Sequence, residues 1–260
     1  MAAQFGPHRW SAGAHRDTAR FRGTRVEVAD LTGVTVVDCD LTGVKVVDSW
    51  LVGVDLSGHV DGLRVNGVDV TSFVAAELDR GHPERVQLRE IQDADGFRAM
   101  ADTVTGLWSA AVARAEALPG PVRDERVDGE WSFAETLRHL VFITDSWAGR
   151  TILDEELPYH RIGLPQTAYA AADAAALGID LTAEPTWAEV LAARADRLAV
   201  LAGILHGLTD ADLGRPCTRP PAPGYPDEVR AVAECLAVVF EEEIEHYRFA
   251  TRDLAVLEAR

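Results

Sequence analysis

The sequence predicts an α+β chain of two domains, a short square coil of stacked five-residue repeats followed by a four-helix bundle. Three observations carry that expectation. An apolar residue returns at every fifth position near the N-terminus, four long stretches later place apolar residues at helical spacing, and the last of these carries a Glu and a His four residues apart. At 260 residues the chain can bury one large core or two modest ones. A composition that is 47% hydrophobic and 26% charged excludes a disordered chain.

Charge narrows the partners. A net charge of −17 and a pI near 4.8 leave no basic face for nucleic acid or an anionic membrane, because neutralising phosphates needs clustered Lys and Arg. No stretch approaches the ~20 apolar residues of a membrane span, and residues 1–16 lack the apolar centre of a signal peptide, so a cytoplasmic location is expected. Cys39, Cys217 and Cys235 have no Cys-x-x-Cys spacing; neither a cysteine zinc site nor a disulfide framework is expected.

After a tail over residues 1–18, the period of five runs through Phe21, Val26, Leu31, Val36, Leu41, Val46, Leu51 and Leu56. The residues two before each are Ala19, Thr24, Ala29, Val34, Cys39, Val44, Ser49 and Val54, mostly small or apolar. Five matches neither the 3.6 of a helix nor the 2 of a strand, but suits a coil that turns one corner per repeat and stacks on itself. This pattern resembles the pentapeptide-repeat family, which implies a right-handed four-sided β-helix. With a looser continuation through Leu63, Val65, Val68 and Val70, the repeat domain spans residues 19–70. Two or three coils suit a stabilising or partner-docking cap.

Residues 71–94 read as a linker holding one short amphipathic helix over 73–80, ended by Gly81-His82-Pro83. The helical domain covers 95–260. Its first helix, 95–118, has Phe97, Met100, Val104, Leu107, Trp108, Ala111 and Ala115 on one stripe and stops at Pro119-Gly120-Pro121. The second opens on the capping box Ser132-Phe-Ala-Glu135, with Trp131 as a staple, and continues to about 154. The third opens on Thr186-Trp-Ala-Glu189 and ends near Gly207. A proline-rich loop over 216–226 precedes the fourth, 229–257.

Glu242 and His246 share a face of that last helix, and His139 lies on the second. Buried, each would be costly unless paired or coordinated, and one divalent cation, zinc or nickel, would offset all three. Three protein ligands leave positions open for water or substrate, the arrangement of a catalytic centre. Glu241, Glu243 and Glu245 lie off the stripe and read as a solvated acidic face, Phe142 and Trp147 as core, and Arg138 as a surface ion-pair residue. His160, in the loop after the second helix, and Tyr247 are candidate pocket residues; His206 suits a helix C-terminus, and His8, His15, His59 and His82 show no ligand spacing. Serine-triad, phosphate-loop, dinucleotide and His-Glu-x-x-His signatures are absent.

The stretches Trp-Ser-Phe-Ala-Glu-Thr-Leu-Arg-His-Leu over 131–140 and Glu-Glu-Glu-Ile-Glu-His-Tyr-Arg-Phe-Ala-Thr-Arg-Asp-Leu over 241–254 are similar to those of the DinB family, grouped with the YfiT-like proteins. The resemblance implies a metal held by His139 and His246, with Glu242 where a middle histidine is usual, a harder and more anionic set. It further implies a transferase that joins a thiol such as mycothiol to a small electrophilic molecule, or a thiol-dependent isomerase, and pairing as a homodimer. The alternative is a metal-binding or interaction module without a reaction, in which the β-helix docks a partner.

Overall fold

The computed structural model describes residues 22–27, 29–36, 39–166 and 169–260. The chain forms two compact units, Met1–Asp61 with Gln166–Ala170, and Gly62–Pro165 with Ala171–Arg260.

In the first unit the repeat is visible as a turn every ten residues. Gly23, Gly33, Gly43 and Gly53 all sit at φ between 67° and 74°, a region that only glycine enters without cost. Asp30 accepts the Thr32 N–H at 3.0 Å, Asp40 accepts that of Thr42 at 2.9 Å, and Val34 and Val44 donate back to the carbonyls of Leu31 and Leu41. At the Gly33 and Gly43 turns these bonds close within the turn itself. No ladder joins one turn to the next among the described residues up to Asp61, so the four-sided β-helix expected over 19–70 does not appear there. The positions expected inside it, Val26, Leu31, Val36, Leu41, Val46, Leu51 and Leu56, are 50–62% exposed. Ala19, Phe21, the tail over 1–18, His8 and His15 lie outside the described residues.

The second unit opens with a hairpin, β1 (Arg64–Val65) and β2 (Val68–Asp69), which corrects the reading of Leu63 to Val70 as further repeat. Asn66 and Gly67 both have positive φ, the signature of a tight hairpin turn that Asn-Gly favours. Thr71 Oγ1 accepts the Leu63 N–H and begins α1 (Thr71–Gly81). Pro83 does more than stop that helix. It occupies the first turn of α2 (Pro83–Arg89), where its missing N–H costs nothing and its fixed φ suits the helix.

Asp93 caps α3 (Ala94–Ala117), accepting the Gly96 N–H at 2.8 Å, and the short α4 (Gly120–Arg123) follows. Both halves of the predicted capping box form at α5 (Phe133–Thr144), which continues without interruption as a π-helical stretch, Asp145–Ile152. After α6 (Ala171–Ala176), the second capping box starts α7 (Trp187–Gly207). Beyond α8 (Asp210–Leu213), strands β3 (Pro216–Cys217) and β4 (Arg230–Ala231) clamp the proline-rich loop and deliver the chain to α9 (Val232–Glu258).

The four long helices pack in a ring, α5 on α7 and α9, and α3 on α7 and α9. Their directions follow from their contacts. Phe133 meets Trp187 near the starts of α5 and α7 and Asp145 pairs with Arg197 further along, so α5 and α7 are parallel. Phe97 stacks on Phe240 and Arg114 pairs with Glu258, so α3 and α9 are parallel too. The Trp187 indole donates to Glu116 at the end of α3, which sets the two pairs antiparallel. Met100, Leu137, Leu140, Phe142, Leu236, Phe240, Ile244 and Leu254 fill the centre. No helix among the described residues is long and apolar enough to cross a membrane.

One expectation fails inside this core. Glu243, read as part of a solvated acidic face, is 1% exposed and bonds the guanidinium of Arg194 on α7, itself 5% exposed. Glu245 pairs at the surface with Arg85 and Arg248. Removing one member of a buried pair strands the other charge, so Glu243→Ala is expected to cost about 3–5 kcal/mol in urea unfolding, and the double change Glu243→Leu with Arg194→Met to recover most of it. A single-variant loss below about 1 kcal/mol would contradict the pairing.

Candidate metal centre

His139 projects from α5 at a position 4% exposed, between core residues Leu137 and Leu140. From α9, Glu242 and His246 face it one helical turn apart. The Glu242 Oε2 lies 3.6 Å from His139 Nε2 and 3.2 Å from His246 Nε2. One ligand atom from each of the three residues falls within 4.8 Å of the others. Trp131, read from sequence as a helix staple, sets its ring against both imidazoles, with centroids 4.5 Å from His139 and 5.8 Å from His246. The Glu242 side chain is 34% exposed, against 6% for His139.

A backbone oxygen decides how His139 faces this cluster. Its Nδ1 is 2.8 Å from the Leu164 carbonyl, which can only accept, so the proton sits on Nδ1 and the Nε2 lone pair points to Glu242 and His246. Burial holds the ring's pKa below the usual histidine value, favouring the neutral form a cation needs. Burial alone would raise the Glu242 carboxyl, but the two imidazoles beside it bring it well below the normal range.

Leu164 belongs to a strap, residues 158–165, tied at successive points to α5, its π-helical extension and α7. Leu164 N–H donates to the Arg138 carbonyl at 3.0 Å and Arg138 Nε donates to the Ile162 carbonyl at 2.9 Å. Arg138 is therefore not a surface ion-pair residue: it is 8% exposed and grips the strap from beneath. The His160 N–H donates to Asp145 Oδ2 at 2.7 Å, and Arg197 links Asp145 to the Pro158 carbonyl. Pro158 rests on Gly149, where an added Cβ would come within 2.8 Å of the proline ring. Burial pushes the Asp145 carboxyl up to about 7, against the opposing His160 N–H and Arg197.

The structure thus brings His139, Glu242 and His246 together. It sets His160 within the strap, its Nδ1 accepting the Ile162 N–H at 3.3 Å, and packs Tyr247 edge-on against Trp108 of α3. Sequence reasoning missed the Leu164 carbonyl, which no residue type announces, and missed Asp145 and Arg197, whose burial is a tertiary property.

The donor set suits a divalent cation: two imidazoles and a carboxylate converge, and no fourth His, Cys, Asp or Glu joins them among the described residues. Residues 103–250, more than half of the chain, match the family model of the DinB superfamily. This chain belongs to the DinB superfamily. The DinB match contains His139, Glu242 and His246 together with the whole strap, and leaves the repeat segment outside it. No curated protein and no solved structure matches the chain.

The folded pKa of Asp145, near 7, lies above its ordinary value of 3.8, so the folded chain holds this proton more tightly than the unfolded one. Its contribution to stability is complete below the ordinary value and is lost as pH rises through 7. Asp145→Asn keeps an acceptor for the His160 N–H and is expected to flatten the fall in denaturation midpoint between about pH 4 and pH 8. Equal slopes in the two proteins would refute this.

Proposed function

We propose that this DinB superfamily chain is a metal-dependent enzyme of the thiol-transfer type, holding a divalent cation, zinc or nickel, through His139, Glu242 and His246 and joining a mycothiol-type thiol to a small electrophilic molecule. The observation that carries the reading is the convergence of three ligand atoms within 4.8 Å of one another on a partly open face of the bundle. A cation held there would act as a Lewis acid that lowers the pKa of a neighbouring thiol.

The chain's own groups set the conditions for that chemistry. Leu164 fixes the tautomer and direction of His139, so its ring does not have to reorient on loading. Glu242 offsets part of a dication's charge and, being one-third exposed, marks the side from which a substrate arrives. Trp131 covers the two imidazoles with an apolar wall that limits water on their far side.

A second reading, a metal-stabilised interaction module without a reaction, is favoured by the exposed apolar row from Val26 to Leu56, which a bound partner would cover. Metal analysis of the purified protein, then thiol consumption with mycothiol against glutathione over a panel of electrophiles, separates the two. His246→Ala is expected to weaken zinc or nickel binding by more than the ~10–100-fold of an outer-shell change and to abolish thiol consumption. Undiminished metal uptake by that variant would overturn the centre. Metal uptake without thiol consumption in the unaltered protein would overturn the transferase and leave the module.

A further inference from the structure

We propose that Cys217 and Cys235 form a redox-active dithiol that closes to a disulfide, a modification site independent of the metal reading. Their spacing in sequence gives no hint of it; the fold supplies the pairing. Strands β3 and β4 set Cys217 opposite Arg230, and the Val232 N–H donates to the Arg215 carbonyl at 3.1 Å, so the strand leading into Cys217 runs beside the start of α9. Cys235 lies on the first turn of that helix. Both side chains are buried, at 3% and 0% exposure, and the two thiols are close enough neighbours for each to shift the other's ionisation, while the Cys217 S–H donates to the Arg215 carbonyl at 4.0 Å. Cys39, the remaining cysteine, belongs to the other unit and is half-buried.

The partner chemistry is a low-molecular-weight disulfide. The Cys217 thiolate attacks one of its sulfurs, breaking that S–S bond and expelling one small thiolate, which takes up the proton Cys217 lost. Cys235 then gives up its proton and attacks the Cys217 sulfur, expelling the second small thiol. One small disulfide is reduced to two thiols, and the protein dithiol loses two electrons and two protons. Burial pushes Cys235 up to about 12 and raises Cys217 as well, so both wait as thiols while the hairpin is closed. The ladder that carries Cys217 and leads into α9 has only two residue pairs, and its opening would admit the oxidant. Once closed, the bond pins the proline-rich loop to α9 two helical turns ahead of Glu242.

The test incubates the full chain with oxidised glutathione, alkylates it under denaturing conditions, and reads intact mass and peptide maps. Reduced protein should take three alkyl groups, one per cysteine. Oxidised protein should take one, on Cys39, show the loss of two hydrogens, and yield a linked 217–235 peptide pair. Cys39→Ser should keep the link, while Cys217→Ser and Cys235→Ser should each lose it. Three alkyl groups after oxidation, a link that involves Cys39, or a lasting glutathione adduct that the second cysteine does not displace would each overturn the proposal.

Discussion

A buried imidazole has two nitrogens to satisfy, and in this bundle a single carbonyl determines which of them remains free. The hydrogen bond from His139 to Leu164 fixes the tautomer, and with it the direction of the lone pair that meets Glu242 and His246. The carbonyl can do this only if its peptide is held still. Arg138 does so from both its backbone and its side chain, and the peptides further back are anchored by Asp145 and Arg197. The geometry of the cluster therefore rests on a loop as much as on two helices, and the loop in turn rests on charged residues sealed within the protein.

Those sealed charges show where sequence reading succeeds and where it stops. Capping boxes at Ser132 and Thr186, the stripe from Phe97 to Ala115 and the Glu242–His246 spacing are local features, governed by helix geometry and backbone hydrogen bonding, and they could be read along the chain. Glu243 and Arg194 depend on what lies opposite. On the helical wheel Glu243 falls outside the ligand stripe, yet outside that stripe is a second interior direction, toward α7, because a bundle buries more than one face of a central helix. Pro83 reads correctly from sequence as the end of one helix, but that it also begins the next is shown only by the observed chain.

The repeat segment marks a different limit. A period of five in the sequence appears in the backbone as a period of ten, a glycine turn at every second repeat, and at Gly33 and Gly43 Asp-x-Thr-Gly closes its own hydrogen bonds without help from a neighbouring coil. Local bonds are satisfied first. Stacking would require the valines and leucines between the turns to leave solvent, and in the described residues they remain exposed.

The shared direction of α5 and α7 has a consequence for how this chain can vary. Parallel neighbours cannot be joined by a tight turn, so the polypeptide must travel back along the bundle between Ile152 and Trp187, and the stretch over 158–165 is the part of that return threaded onto the ligand helix. Added length beyond Pro165 would be absorbed by the remainder of the journey. A single residue inserted between Pro158 and Leu164 would slide a different oxygen under the imidazole, so tolerance to insertion should change abruptly at the proline that ends the strap.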